Sequence, residues 1–86
     1  MSPLTIRRTI LSVLGSAKPF AVPAETLLAE VNRLVRPAIK SVDLAEHLTA
    51  LQGQQMIDYI ADPVAPDDAT ARKWHIKEAG EAAFRS

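Results

Sequence analysis

Eighty-six residues make one domain, and an apolar content of 48% supplies one modest core, which excludes a disordered chain. Ten Lys/Arg and ten Asp/Glu cancel, so no long-range field draws the chain toward nucleic acid or an anionic membrane, and only local patches remain. The absence of cysteine excludes disulfides, thiolate metal sites and cysteine nucleophiles together.

A cysteine-free chain fits a reducing cytoplasm. No apolar run approaches the length that spans a bilayer. The first fifteen residues, MSPLTIRRTILSVLG, do not read as a signal peptide, because Arg7 and Arg8 interrupt the apolar stretch and no small-residue cleavage pattern follows. We expect an intact soluble cytoplasmic domain of bacterial type, a single unit over residues 1–86.

Ser2-Pro3 opens the first helix, with Ser as cap and Pro at the first helical position, where its missing amide costs nothing. Ile6, Ile10, Val13 and Leu14 share a face that Leu11 widens, and Gly15 is expected to end the helix. Residues 16–19 form a loop. Phe20-Ala21-Val22 is a candidate for a very short strand. Pro23 starts the second helix, whose stripe is Leu27, Leu28, Val31, Leu34 and Val35. Glu25, Ala29 and Arg36 face outward. Pro37 stops this helix.

Residues 41–60, SVDLAEHLTALQGQQMIDYI, read as a capped amphipathic helix running into a strand. Ser41 is the expected N-cap, and Asp43 sits in the first turn, where the helix dipole favours a negative charge. Leu44, Ala45, Leu48 and Leu51 form the apolar stripe, and Gly53 is expected to close the helix in the left-handed conformation. Asp43, Glu46 and Ala50 point away from the stripe, with His47 and Thr49 beside them. One lysine, Lys40, stands against Asp43 and Glu46, so this stretch is net acidic.

Residues 56–61 are β-prone and stop at Asp62-Pro63. Two prolines and three aspartates make residues 62–71 an exposed loop. Residues 72–77 read as a returning strand, with Trp74 and Ile76 on one face and Lys73, His75 and Lys77 on the other. The strands flank the loop as a hairpin does. Residues 78–85 form a short terminal helix carrying Ala79, Ala82, Ala83 and Phe84.

Three stretches carry a resemblance. Ile10-Leu11-Ser12-Val13-Leu14 resembles the "I-L-x-x-L" first helix of small bacterial winged-helix regulators. Residues 44–57, with Leu48, Leu51, Gly53 and Met56-Ile57, are similar to their "L-x-x-L…G-L-I" passage from third helix to first wing strand. Residues 74–84, WHIKEAGEAAF, resemble the "L-T-x-x-G-x-x-x-L" ending of the MarR and PadR families; Lys77 replaces the usual Thr, and Gly80 falls on the pattern's glycine. The resemblance covers nearly the whole chain. It implies an α+β winged-helix fold: a three-helix core, a β-hairpin wing and a short C-terminal helix.

It also implies duplex DNA binding of a transcriptional-regulator type, with the third helix in the major groove and the wing near the minor groove. The candidate contacts are then Arg36 and Lys40 before the third helix, His47 and Thr49 on it, and Arg72 and Lys73 at the wing base. Gln52 and Gln54 are placed to reach base edges. Asp43, Glu46, Asp62, Asp67 and Asp68 oppose this, since carboxylates repel phosphates. Arg72 beside the acidic loop has an ordinary alternative, pairing with Asp67 or Asp68. Arg33 has one in Glu30.

The rival expectation is a protein-interaction module that uses the acidic third helix and wing, with a strand edge open for pairing. An enzyme is not expected. All three glycines are isolated, so no phosphate loop exists, and no nucleophile–base set stands out. His47 and His75 are the only histidines and show no metal-ligand spacing, so no metal or cofactor is expected.

Overall fold

The structure, a computed structural model, describes residues 2–85. It is α+β. In chain order come α1 (Pro3–Ala17), β1 (Val22–Pro23), α2 (Ala24–Leu34), α3 (Ser41–Gly53), β2 (Ile57–Ile60), a 3-10 turn (Ala69–Ala71), β3 (Lys73–Ile76) and α4 (Glu78–Arg85). The three strands make one antiparallel sheet in the order β1-β3-β2. Among the described residues no helix is long and apolar enough to cross a membrane.

The caps explain most of the boundaries. Ser2 Oγ accepts from the Thr5 amide at 3.2 Å, the expected N-cap of α1. The helix runs two residues past Gly15, to Ala17, because nothing there turns left-handed; Pro19 ends it instead. β1 lies one residue later than expected, at Val22–Pro23, and leaves Phe20 exposed. Pro23 tolerates this because it pairs at the margin of the sheet, opposite Lys73, and then caps α2.

At α3 the cap is Lys40, and Ser41 is already helical. The Asp43 carboxylate reaches back and accepts from the Lys40 amide at 3.2 Å, so the side-chain bond at this helix start comes from the first turn and not from Ser41. The helix does not close on Gly53. The Gln55 amide donates to the Gln52 carbonyl and the Met56 amide to the Leu51 carbonyl, both at 3.0 Å, while Gln55 takes φ 64°. That is the two-bond Schellman closure, with a glutamine in the position glycine usually holds.

The core gathers one face of every long element. Ile6, Ile10, Leu11 and Leu14 come from α1, Leu27 and Val31 from α2, and Leu44, Leu48 and Leu51 from α3; Val22, Val35, Ile57, Trp74 and Ile76 complete it. Leu34 misses it and stands 61% exposed at the end of α2. The hairpin register pairs Ile57 with Ile76 and Tyr59 with Trp74, which puts all four on the inner face. Gly80 is buried where α4 crosses the hairpin, and the Lys77 amide donates to the Met56 carbonyl at 2.9 Å beside it.

Candidate nucleic-acid interface

α3 buries Leu44, Leu48 and Leu51, so at 100° per residue its outward face is Val42, Ala45, Glu46, Thr49 and Gly53, all exposed. Apart from Glu46 these side chains are small, and none is a cation. Thr49 Oγ1 donates back to the Ala45 carbonyl at 2.9 Å, which leaves its methyl and one lone-pair side outward. Gln52 is half-buried and Gln54 exposed at the C-terminal end.

Arg36 and Lys40 bracket the turn before α3, and both are exposed. The Arg36 guanidinium donates to the Asn32 carbonyl at 2.5 Å, a cation on the last turn of α2, where the dipole is negative. Asn32 also holds this turn in shape: its side chain donates to the Ile39 carbonyl at 3.1 Å and accepts from the Ile39 amide at 2.9 Å. The turn's geometry therefore rests on the Asn32 side chain.

His47 is not on the outward face. It turns to α1, and its Nδ1 accepts from Arg7 Nε at 3.1 Å in a half-buried contact. Arg72 is half-buried rather than held by the acidic loop. Its guanidinium lies 4.0 Å from the centroid of the Tyr59 ring, and Tyr59 packs on Trp74 with centroids 5.2 Å apart. Among the described residues no carboxylate pairs with it, and its Nε is buried with no partner. Lys73 is exposed on the other face of the sheet. Of the eight candidates, Arg36, Lys40, Thr49 and Gln54 are exposed and Gln52 is half-buried, while His47 turns to α1, Lys73 lies on the outer face of the sheet, and Arg72 stands with Thr49 at a cleft beside α3.

No protein-family model, curated protein or solved structure matches the chain. The site therefore rests on its own geometry.

The acidic groups have local work. Asp62 Oδ1 accepts from the Val64 amide at 2.8 Å and the Ala65 amide at 3.3 Å. Asp68 Oδ1 accepts from the Thr70 hydroxyl at 2.6 Å and its amide at 2.9 Å, and these bonds hold its carboxyl below the ordinary value. Asp58 Oδ1 accepts from the Tyr59 amide at 2.8 Å. That bond occupies a donor on the free side of β2, so the strand edge is less open to pairing than the hairpin alone suggests. Val64 at the loop tip is 93% exposed. Among the described residues no cluster of His, Asp and Glu is placed to hold a metal ion.

Proposed function

We propose that the chain is a winged-helix domain that binds duplex DNA, with α3 entering the major groove and the β2–β3 loop as the wing. The observation that carries this reading is the element order together with the sheet order β1-β3-β2, which leaves the face of α3 opposite the core uncovered. The small side chains of that face suit close approach to a groove about 12 Å wide. Arg36 and Lys40 stand at the N-terminal end of α3, where phosphates would lie, and Gln54 offers a donor and an acceptor to a base edge. Each of these groups is exposed, so none has to leave the core to make its contact.

A second reading is favoured by one observation. The face of α3 and its surroundings expose Val42 (59%), Leu34 (61%) and Val64 (93%), and the one charge on the outward face is Glu46. An apolar and acidic surface suits a protein partner better than a phosphate backbone.

Fluorescence anisotropy of the pure chain with labelled random duplex separates the two. Under the DNA reading, binding falls steeply as salt rises, and Arg36→Ala and Lys40→Ala each weaken it and flatten its salt slope by about 1. No binding at low salt would refute the DNA reading, because backbone attraction precedes sequence recognition, and the same face would then be a protein-docking surface.

A further inference from the structure

A cleft of about 390 Å³ opens between the start of α2, the wing-side flank of α3 and the 3-10 turn. Its walls are aliphatic: Ala24, Leu28, Leu44, Ala45 and Leu48. Arg72 and Trp74 close its other side, and the volume lies within the range of about 300–1,000 Å³ in which small-molecule sites fall. Two residues of this cleft each carry a buried donor without a hydrogen-bond partner. The indole Nε1 of Trp74, a side chain only 4% exposed, has no acceptor. The Nε of Arg72 has none either, and no carboxylate pairs with its guanidinium although three aspartates lie in the adjoining loop. Buried donors are ordinarily satisfied, so an unmet pair in the wall of an apolar cavity sets this cleft apart from the rest of the surface.

The chemistry of the occupant follows from the lining. Arg72 is the one cation among the described residues of the cleft, and its planar fork takes a carboxylate on two nitrogens. The residue is only half-buried and lies at the cleft's edge against the Tyr59 ring. Glu25, the one carboxylate of the lining, disfavours a second negative charge, so a monocarboxylate suits the cleft better than a dicarboxylate or a phosphate dianion. The rest of the lining is mainly aliphatic, with the hydroxyls of Ser41, Thr49 and Thr70 among it, and the one aromatic ring, Trp74, is already packed on Tyr59. We propose that this cleft binds a medium-chain aliphatic monocarboxylate, its chain between the leucines of α2 and α3 and its carboxylate on Arg72. Such binding would stand whether or not α3 meets DNA.

Trp74 is the only tryptophan of the chain, so its emission reports the cleft directly. The full chain is titrated with octanoate, and with octanol and acetate as probes that lack the charge or the chain. A saturable change in emission with octanoate, and affinity weaker by about tenfold or more for the other two probes, is expected from the loss of a charge-assisted bond or of the buried chain. Arg72→Gln should weaken octanoate by about tenfold or more. Ala45→Leu is a substitution at an exposed position that fills the cleft without touching the core, and it should abolish the saturable change while far-UV circular dichroism stays as in the parent. No saturable response to octanoate, equal response to octanol, or unchanged octanoate binding in a folded Ala45→Leu protein would each overturn the proposal.

Discussion

Replacing Gly80 by alanine should destabilise the chain although it improves helix propensity. A Cβ at this position would collide with the carbonyl oxygen of Met56, and would stand 2.9 Å from Ile76 Cγ1 and 3.1 Å from the Met56 carbonyl carbon. Ile76 can shift a methylene, but the Met56 carbonyl cannot rotate away. It is backbone, it sits between the closing turn of α3 and β2, and it accepts the Lys77 amide at 2.9 Å, the bond that ties α4 to the hairpin. Overpacking of this kind costs about 1–3 kcal/mol, and an obstacle made of backbone belongs at the top of that range. Against it stands the gain of about 1 kcal/mol for alanine over glycine within a helix. The net loss is then about 2 kcal/mol, which lowers the Tm by about 8–16 °C for a domain of this size. Gly53 supplies the control. It is helical, has no positive φ, and a Cβ there would meet nothing within 4 Å, so Gly53→Ala should hold or raise the Tm. Thermal unfolding followed by circular dichroism compares the two. A Gly80→Ala protein that melts at or above the parent would refute the close approach of α4 to the hairpin.

Other consequences are open to measurement. Gln55→Gly should raise stability by about 1 kcal/mol in a urea titration, since glycine holds the left-handed closure of α3 without the Cβ penalty; a loss would mean that the bond from Lys77 Nζ to Gln55 Oε1, at 2.8 Å, outweighs that strain. The hydrogen bond from Lys18 at 2.6 Å holds the Glu81 carboxyl below its usual range. A depressed folded pKa means that its contribution is present above the unfolded carboxylate pKa and lost as pH falls through the folded one. Glu81→Gln should therefore lower the urea midpoint at neutral pH, and the difference from the parent should vanish in acid; a difference that persists there would refute the pairing. His47→Ala should leave duplex affinity unchanged, because the imidazole is engaged by Arg7, and a large loss in the anisotropy titration would place it at the DNA instead. Glu46→Gln should tighten duplex binding, since it removes the like charge at the α3 face; a weaker complex would place Glu46 on a donor such as a cytosine amine.

How much of this was legible in the sequence differs by residue. Ile6, Ile10 and Leu14, and Leu44, Leu48 and Leu51, recur at helical spacing and all reach the core. Trp74 and Ile76 alternate with Lys73 and His75, and both are buried as the period of two requires. Gly53 was the natural closer of α3 by residue type. The chain turns at Gln55 because Leu51 and Ile57 must both stay in the core, and that fixes where the turn falls. The site was harder to read. Arg7 and His47 meet across 40 positions of sequence, a contact that no local pattern encodes. Arg72 reaches Tyr59 because Tyr59 pairs with Trp74, two residues on, and a loop as long as this one does not set that register in advance. The cleft beside Arg72 is a product of the same register and was equally hidden.

The acidic residues show why charge alone could not decide the function. Asp43 caps α3, Asp62 turns the chain into the loop, and Asp68 seats the 3-10 turn. Each is accounted for by an amide it satisfies, and turn and cap positions select aspartate whatever the surface binds. Their presence near a duplex would be an electrostatic cost, yet it carries no information about the partner. Glu46 is different. It stands on the open face of α3 with no amide to satisfy, where glutamine or lysine would serve the helix as well. A carboxylate that no local geometry requires has to be explained by what α3 meets, and it is therefore the residue on which the DNA and protein readings part.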